Sequence, residues 1–338
     1  MTDAQQHSCA FYTVHSRWPW MRQTEDGRGG MPGCRFLLNQ EGADTQWIVV
    51  FDEPPAQSTT RVPKERRVLF ITEPPEVKPY PASYLRQFGV VISPFAIRNI
   101  PQETVLLENP CLNWHYGVDV DSCSSELANL DAFCSMSIPV KTRMLSSICS
   151  TKTFTAAQHK RIAFVEKLQA RFGERVDLFG RGRNPICDKK TAIAPYKYHL
   201  VLENNYTDNF WTEKFSDALL GYAYPIYLGA PNIAAACPPG AMLILNPGND
   251  EANLDAIERL LQEDPWEQSL PALKACRQWV LETTNVFSRM QRLICELGQQ
   301  VIGVPTLSSP VALKQSSRLQ RGLLKRLRRW GLYDPYGC

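Results

Sequence analysis

Short runs of apolar, often β-branched residues recur along the chain, and polar or proline-marked segments separate them. Residues 46–51, 67–72 and 89–93 are such runs, and their length and content predict buried β-strands. Residues 81–87 lie between two of these runs and predict a short helix. This strand–helix–strand order is typical of a parallel sheet. Residues 1–34 are rich in Gly, Arg and Pro, and we expect them to be irregular.

A second region of alternating strands and helices begins near residue 142. Strands are predicted at residues 144–148, 176–180, 198–202, 224–228 and 242–245. Helices are predicted at residues 156–172, 212–220, 253–261 and 272–297. Two such regions predict two doubly wound α/β domains, with ligands at the carboxyl ends of the strands. We expect an N-terminal domain at 1–141, a C-terminal domain at 142–300, and a linker and tail at 301–338.

The composition of the chain is that of an ordinary globular protein. Its 338 residues are 44% hydrophobic and 21% charged, which excludes collagen-like, disordered and disulfide-scaffold classes. The eleven cysteines contain no CxxC pair and the five histidines form no HExxH group, so no metal site is predicted. The N-terminus lacks a signal-peptide pattern, and no apolar run approaches the roughly 18–20 residues that cross a bilayer. The cysteines are scattered and odd in number, which is typical of reduced thiols, so we expect a cytoplasmic protein.

The formal net charge of +3 conceals an uneven distribution. From residue 311 onward the chain carries seven of its 37 basic residues but one of its 34 acidic residues. At helical spacing, one face of this tail collects Leu319, Leu323, Leu327 and Trp330. The pattern predicts a basic amphipathic helix, typical of peripheral binding to an anionic membrane through residues 313–330. A helix packed on the protein is an alternative. Nucleic acid is not expected as a partner, because no nucleic-acid module accompanies the tail.

Polar side chains concentrate where the predicted strand ending near residue 202 gives way to the helix that follows it. Thr212 is a good N-cap for that helix. A helix N-terminus favours an anion such as a pyrophosphate. Lys214 in the first turn opposes the usual preference for acidic residues, which makes sense if the lysine meets a bound phosphate. The alternative is a capped helix with a solvated lysine.

Several motifs in this region, in this order, resemble the family 10 glycosyltransferases, the α-1,3/4-fucosyltransferases. They are VDLFG at 176–180, YKYHLVLEN at 196–204, TEK at 212–214, PIYLGAP at 225–231 and PPGAMLI at 238–244. The resemblance covers residues 142–250 well. It implies an α/β protein of the GT-B fold, in which two Rossmann-like domains flank a cleft. The C-terminal domain would then bind GDP-fucose, and the N-terminal domain would bind the acceptor.

The resemblance also implies roles for individual residues of the donor site. Arg161 and Lys214 would neutralise the pyrophosphate, and Glu213 would bind hydroxyls of the ribose. Breaking the sugar–phosphate bond leaves negative charge on GDP, and fixed cations are most effective where charge develops. These cations and a helix N-terminus make a metal ion unnecessary for the leaving group. No tightly bound cofactor is expected.

Three further positions follow from the same motifs. Asn204 and Phe210 would line the region of the fucose and phosphate, and Glu203 would support the end of the strand. The sequence departs from the family pattern at two places. Phe210 stands where the family often has tyrosine, and His199 stands where it often has an amide or a small residue.

An inverting transfer needs a carboxylate that takes the proton of the acceptor hydroxyl. Glu73 follows a predicted strand of the N-terminal domain, in a segment that resembles the place of the family's base. Prolines after Glu73 would fix its loop. Glu76, three residues on, is the alternative base.

Together these patterns predict an enzyme that transfers L-fucose to a glycan hydroxyl. The acceptor would be an N-acetylglucosamine or glucose unit, joined by an α-1,3 or α-1,4 linkage, and a basic tail suits a lipid-linked acceptor at the inner face of a membrane. Two alternatives remain. One is a GT-B transferase that uses another nucleotide sugar, and the other is a non-catalytic glycan- or membrane-binding protein of the same fold.

Overall fold

The protein consists of two compact α/β units. A computed structural model describes residues 7–151, 156–301 and 307–329. Unit 1 comprises residues up to Cys111 together with those from Val286 onward, and unit 2 comprises Leu112–Asn285. Each unit contains its own sheet of mainly parallel strands, so the predicted α/β class is confirmed.

Unit 1 is built on a seven-stranded sheet in the order β2-β3-β1-β4-β6-β7-β8. Its strands are β1 (His7–Thr13), β2 (Gly30–Met31), β3 (Cys34–Leu38), β4 (Trp47–Phe51), β6 (Arg67–Phe70), β7 (Val90–Ser93) and β8 (Val105–Leu107). A separate strand, β5 (Ser58–Thr60), follows β4 in the chain. The runs that predicted β4, β6 and β7 are confirmed, as is the short helix α1 (Ala82–Leu85). Every residue of β4 is buried, as expected for a parallel strand that is covered on both faces.

The expectation that residues 1–34 are irregular is wrong for the first strand. His7–Thr13 forms β1, which pairs in parallel with β3 on one side and β4 on the other. Its sequence, HSCAFYT, begins with residues of weak strand preference and is only seven residues long. The strand exists because tertiary pairing in the middle of the sheet buries Cys9, Ala10 and Phe11 completely.

Unit 2 is built on a parallel sheet in the order β10-β9-β11-β12-β13. Its strands are β9 (Arg143–Ile148), β10 (Val176–Phe179), β11 (Tyr196–Leu202), β12 (Tyr224–Leu228) and β13 (Leu243–Ile244). Its helices are α2 (Leu130–Cys134), α3 (Ala156–Phe172), α4 (Lys190–Ile193), α5 (Glu213–Leu220), α6 (Ile233–Ala236), α7 (Asp250–Glu263) and α8 (Leu270–Glu282). The five predicted strands are all present, and α3 has its predicted bounds. Gly173, the predicted stop signal after α3, has a φ of 55°.

The long helix predicted over residues 272–297 is two helices. Helix α8 ends at Glu282, and α9 (Val286–Gln300) begins after the buried residues Thr284 and Asn285. The interruption coincides with the point where the chain passes from unit 2 to unit 1. Both helices have amphipathic patterns, so periodicity alone does not reveal the break.

The units also divide the chain differently from the predicted boundaries 1–141, 142–300 and 301–338. Residues 112–141 belong to unit 2, because Trp114, Tyr116 and Phe133 lie in its hydrophobic core. Helix α9 belongs to unit 1, where the ring of Phe287 lies 5.1 Å from that of Phe11.

The beginning of the basic tail is part of unit 1. Strand β14 (Val311–Leu313) pairs antiparallel with β5. Helix α10 (Arg318–Arg329) follows. Arg321 of this helix and Ser316 before it both contact the carboxylate of the buried Glu53. Trp330, which completes the predicted apolar face, lies outside the described residues.

Candidate functional site

A cavity of about 360 Å³ lies in unit 2, at the carboxyl ends of its central strands. The chain moves outward from β9 to β10 and then returns to place β11 on the other side of β9. Such a switch point opens a crevice at the carboxyl ends of the two central strands, where doubly wound folds bind ligands. Ile148 and Ser150 at the end of β9, and Leu202 and Asn204 at the end of β11, line the cavity. The topology of unit 2 therefore makes this cavity its candidate site.

Arg161 enters the cavity from α3 and contacts the end of β11. Its guanidinium donates a hydrogen bond to the side-chain oxygen of Asn204. The arginine is 6% exposed, which is unusual for a charged residue and indicates a fixed rather than a solvated position. Both residues were predicted to belong to the site, and they line the same cavity.

Glu203 anchors the start of α5 to the end of β11. Its side chain has no solvent exposure and accepts hydrogen bonds from the backbone N–H of Thr212 at 2.7 Å and from the Thr212 hydroxyl. Thr212 is the N-cap of α5, as predicted, and its hydroxyl accepts from the backbone N–H of Lys214. The N-terminus of α5 is thereby held against the end of β11, next to the cavity.

Lys214 and Glu213 follow this cap and line the cavity. The Lys214 ammonium donates to the Thr212 hydroxyl at 2.8 Å and lies 3.4 Å from carboxylate oxygens of both Glu203 and Glu213. Burial opposes the charge of Lys214, but the two carboxylates raise its pKa above the ordinary value. Lys214 therefore stays protonated in the site, where its charge can meet an anion.

Lys189 is a third cation of this site, and it was not predicted. It precedes α4, and its ammonium lies 2.8 Å from Asp217 and 3.1 Å from Glu213. Burial disfavours the charged lysine, yet the carboxylates of Asp217 and Glu213 raise its pKa. Burial also disfavours the charged form of Glu213, but Lys189 and Lys214 hold its pKa well below the usual range. No sequence motif drew attention to Lys189, because tertiary packing alone brings α4 to α5.

Three cations and three carboxylates meet at this site, and backbone N–H groups also bond to two of the carboxylates. Asp217 accepts backbone N–H bonds from His115 at 2.8 Å and Tyr116 at 2.9 Å, and Glu203 accepts the N–H of Thr212. These backbone dipoles satisfy two of the three carboxylates. Arg161 differs from the two lysines, because its guanidinium bonds to the neutral amide of Asn204, and it can therefore meet a bound anion.

His199 lines the same cavity from the middle of β11. Its Nδ1 lies 2.7 Å from the hydroxyl oxygen of Ser146, and that hydroxyl donates to the backbone carbonyl of Ala192. The residue is 3% exposed, and burial followed by the charges of Lys189 and Lys141 lowers its pKa to about 3. His199 is therefore neutral at physiological pH.

Phe210 is placed differently from the prediction that it lines the ligand region. It is 3% exposed, and the residues described as lining the cavity do not include it. Its backbone N–H bonds to Thr207 within the loop between β11 and α5. The Phe210 side chain is therefore buried, and its part in the site stays a prediction.

Glu73 and Glu76, the two predicted candidates for the base, lie in unit 1. Both are exposed in the loop after β6. The carbonyl of Pro74 accepts N–H bonds from Val77 at 2.8 Å and Lys78 at 2.9 Å, so the loop is a defined turn.

Unit 1 also contains a buried acidic residue, Asp52, that no sequence pattern predicts. Asp52, at the end of β4, is 4% exposed and accepts bonds of 2.6 Å from both Lys78 and Tyr80. It lies at the switch point of this sheet, between β1 and β4. Burial opposes its charge, but His15 and Lys78 lower its pKa.

In the described ranges 7–151, 156–301 and 307–329, no group of side chains is arranged to hold a metal ion. No helix within those ranges is long and apolar enough to cross a bilayer.

Comparison with known proteins bears on the segment that contains the cavity. Residues 138–266 match the family model for the C-terminal part of glycosyltransferase family 10, the fucosyltransferases. This segment is similar to glycosyltransferase family 10. The predicted resemblance is thereby confirmed, and the cavity residues Arg161, Lys189, Asn204 and Lys214 all fall within the family 10 region.

Two curated relatives match short stretches of the chain. An alpha-(1,3)-fucosyltransferase 7 from Bos taurus is 41% identical over 75 residues, which are 20% of this chain and 22% of the relative. A GDP-fucose protein O-fucosyltransferase 3 from Danio rerio is 33% identical over 76 residues, 22% of this chain and 17% of the relative. The matches thus span about a fifth of the length of these relatives.

A solved structure matches over most of the chain. A crystal structure of an alpha1,3-fucosyltransferase aligns with a TM-score of 0.50 and 17% identity, covering 88% of this chain and 90% of that one. At this identity the comparison shows the fold. The family 10 region therefore belongs to a chain of the GT-B fold, as predicted.

Proposed function

We propose that the chain is an inverting fucosyltransferase that moves L-fucose from GDP-fucose to a hydroxyl of a glycan. The observation that carries this proposal is the cavity lined by Arg161, Asn204 and Lys214 inside the family 10 region. The donor is proposed from the fucosyltransferase family and from the relative named for GDP-fucose. The acceptor is proposed to be an N-acetylglucosamine or glucose unit in α-1,3 or α-1,4 linkage, lipid-linked in the cell.

The leaving group is stabilised by the cations of the cavity. The acceptor oxygen attacks the anomeric carbon of fucose, the bond from that carbon to the β-phosphate oxygen breaks, and GDP departs with the bonding electrons. Arg161 and Lys214 face the pyrophosphate, and the N-terminus of α5 adds its positive dipole. These groups supply the charge stabilisation, so the proposal requires no metal ion and no tightly bound cofactor. Glu213 binds the ribose hydroxyls.

Glu73 is proposed as the base that removes the acceptor proton, with Glu76 as the alternative. The exposed carboxylate of Glu73 follows β6 in an ordered loop. A carboxylate in this position takes the hydroxyl proton as the new glycosidic bond forms. Replacing Glu73 by Ala is expected to abolish transfer and leave GDP binding intact. Full transfer by that variant would move the role to Glu76 or to another group.

The basic tail is proposed to bind an anionic membrane through residues 313–330, on the cytoplasmic face. On α10, Leu319 is 87% exposed and Leu323 is 56% exposed, and Lys325 and Arg326 are exposed as well. Apolar side chains beside cations suit an interface with anionic headgroups, to which each cation contributes about 1 kcal/mol. Such a location gives access to lipid-linked acceptors.

Vesicle binding tests the membrane proposal. Lys325 and Arg326 are both replaced by Glu, and binding to vesicles of phosphatidylglycerol and phosphatidylcholine is measured by flotation. The matched control is Lys274→Glu, an exposed lysine on α8 in unit 2. We expect the double variant to lose most binding and the control to keep it. Equal binding by both would refute the role of the tail.

Transfer itself is tested with the purified chain and a set of glycan acceptors. The chain is incubated with GDP-fucose and lactosamine-type acceptors, and mass spectrometry detects added deoxyhexose. Uridine diphosphate N-acetylglucosamine serves as the competing donor. Product from the guanosine donor supports the proposal, whereas product from the uridine donor alone would replace it with a different GT-B activity.

A further inference from the structure

His199 lines the cavity and offers it a hydrogen-bond acceptor. The Ser146 hydroxyl has one proton, and it donates that proton to the Ala192 carbonyl at 2.5 Å. The contact of 2.7 Å between His199 Nδ1 and the same hydroxyl therefore requires Nδ1 to carry the hydrogen. In a neutral imidazole this leaves Nε2 without a proton. Nothing in the described part of the chain donates to Nε2.

The neutral state of His199 follows from its surroundings. The side chain is 3% exposed and lies near the cations Lys189 and Lys141, which oppose a further positive charge. A buried acceptor without a partner costs free energy unless a ligand or water donates to it. Because His199 lines the cavity, such a donor can reach it from the bound ligand.

Position along β11 indicates which part of a ligand that donor belongs to. His199 lies in the middle of β11, three residues or roughly 10 Å before the last residue of the strand, and Asn204 follows the end of the strand. Asn204 and Arg161 mark the proposed pyrophosphate end of the cavity. Glu213, the proposed ribose ligand, accepts a hydrogen bond from Lys189, and the charge of Lys189 in turn acts on His199. A nucleotide bound in this direction brings its base to His199.

The surroundings of His199 suit a flat, partly apolar base. Ile148 and Ile193 line the cavity with it and offer apolar contact. The carboxylate of Asp217, which also lines the cavity, is engaged by two backbone N–H groups and Lys189. His199 is thus a neutral acceptor that the cavity offers to a base edge.

We infer that His199 Nε2 accepts a hydrogen bond from an N–H group on the Watson–Crick edge of the guanine of the donor. This inference rests on the proposed function, since it assumes a guanosine diphosphate in the cavity. Guanine presents two donors side by side on this edge, N1–H and the 2-amino group, whereas adenine presents one donor, its 6-amino group, beside an unprotonated N1. With Nε2 facing position 1 of the base, His199 would favour guanine, whose N1 carries a hydrogen, over adenine, whose N1 does not.

The test measures base preference with the full chain. Calorimetry gives the affinities for GDP, ADP and 2′-deoxy-GDP of the wild type and of His199→Phe, which keeps a flat ring but lacks the acceptor. The wild type is expected to prefer GDP, and His199→Phe to reduce the GDP-to-ADP ratio about 10-fold. An unchanged ratio would overturn the assignment. A loss seen with GDP but absent with 2′-deoxy-GDP would also overturn it, because the contact would then be to the ribose.

Two further variants separate recognition from folding. His199→Gln places a carbonyl oxygen near the position of Nε2 and should keep most of the preference for GDP. Ser146→Ala retains the imidazole but removes the group that fixes its hydrogen, and should reduce the preference about 3-fold. If neither variant follows this order, the acceptor role fails. A wild-type chain that binds no GDP would refute the proposed donor and this inference together, whereas normal GDP binding with an unaltered ratio refutes only the inference.

Discussion

The ammonium of Lys189 lies 2.8 Å from a carboxylate oxygen of Asp217, whose side chain has no solvent exposure. This pair joins three parts of the site. Asp217 holds the backbone at His115 and Tyr116, and Lys189 continues to Glu213 at 3.1 Å. The position of Glu213, the proposed ribose ligand, therefore depends on a residue outside the family motifs that were recognised.

Replacing Lys189 by Met is expected to lower the free energy of unfolding by about 3 kcal/mol. The substitution leaves Asp217 as a buried carboxylate with backbone N–H groups alone, and breaking a buried ion pair carries a cost of this size. The matched control is the neighbouring Lys190→Met, whose partner Glu126 is exposed and whose loss should cost under about 1 kcal/mol. Urea unfolding measures both. Equal, small losses would show that the Lys189–Asp217 pair contributes little.

Arg161→Ala is expected to slow fucosyl transfer by about 100- to 1,000-fold, because it removes a fixed cation from the departing GDP. Lys160→Ala is the control, since Lys160 precedes Arg161 on the same helix but is exposed. Single-turnover rates with saturating GDP-fucose separate the chemical step from donor binding. Comparable rates for the two variants would remove Arg161 from the site.

Thr212→Ala tests the connection between the helix cap and the anion site. Loss of the cap should cost about 1 kcal/mol of stability and weaken GDP binding, since the hydroxyl contacts both Glu203 and Lys214. Asn249 caps α7 through the N–H of Ala252, away from the cavity-lining residues. Asn249→Ala should lose similar stability and bind GDP normally. If calorimetry finds the same GDP affinity in the Thr212→Ala and Asn249→Ala variants, the cap of α5 has no specific role in GDP binding.

The folded protein should become less stable in acid partly because of His199. Its pKa is lowered by burial to about 3, below the unfolded value of about 6.5, so the unfolded chain binds the proton first. Stability from this group is complete above pH 6.5 and falls by about 1.4 kcal/mol per pH unit as the pH decreases toward 3. Between pH 6.5 and 5, the loss should be about 2 kcal/mol greater in the wild type than in His199→Phe. Parallel urea-unfolding profiles for the two proteins would contradict a neutral, buried His199.

Local patterns in the sequence were sufficient for the parts of the site that depend on neighbouring residues. Thr212 is the N-cap of α5, as its residue type and its place before the apolar period of the helix predict. The same holds for α3, whose apolar period and terminal Gly173 give its bounds. The bond of Thr212 to Glu203 at the end of β11 was not predicted.

The remainder depends on contacts between distant segments. Lys189 reaches Asp217 across 28 positions, and His199 reaches Ser146 across 53, so no local pattern marks either residue. Strand β1 forms because two neighbouring strands bury it, and α8 and α9 separate where the chain changes units. Contacts between distant segments determine these features, and the local pattern of a single sequence does not reveal such contacts.

Calorimetric titration of the purified chain with GDP-fucose, GDP and uridine diphosphate N-acetylglucosamine tests the central claim most directly. The account predicts that both guanosine ligands bind, that the uridine ligand does not, and that Lys214→Ala weakens binding of the guanosine ligands. A chain that binds the uridine ligand in preference, or guanosine ligands equally well without the Lys214 ammonium, would contradict the assignment of this cavity as a GDP-fucose site.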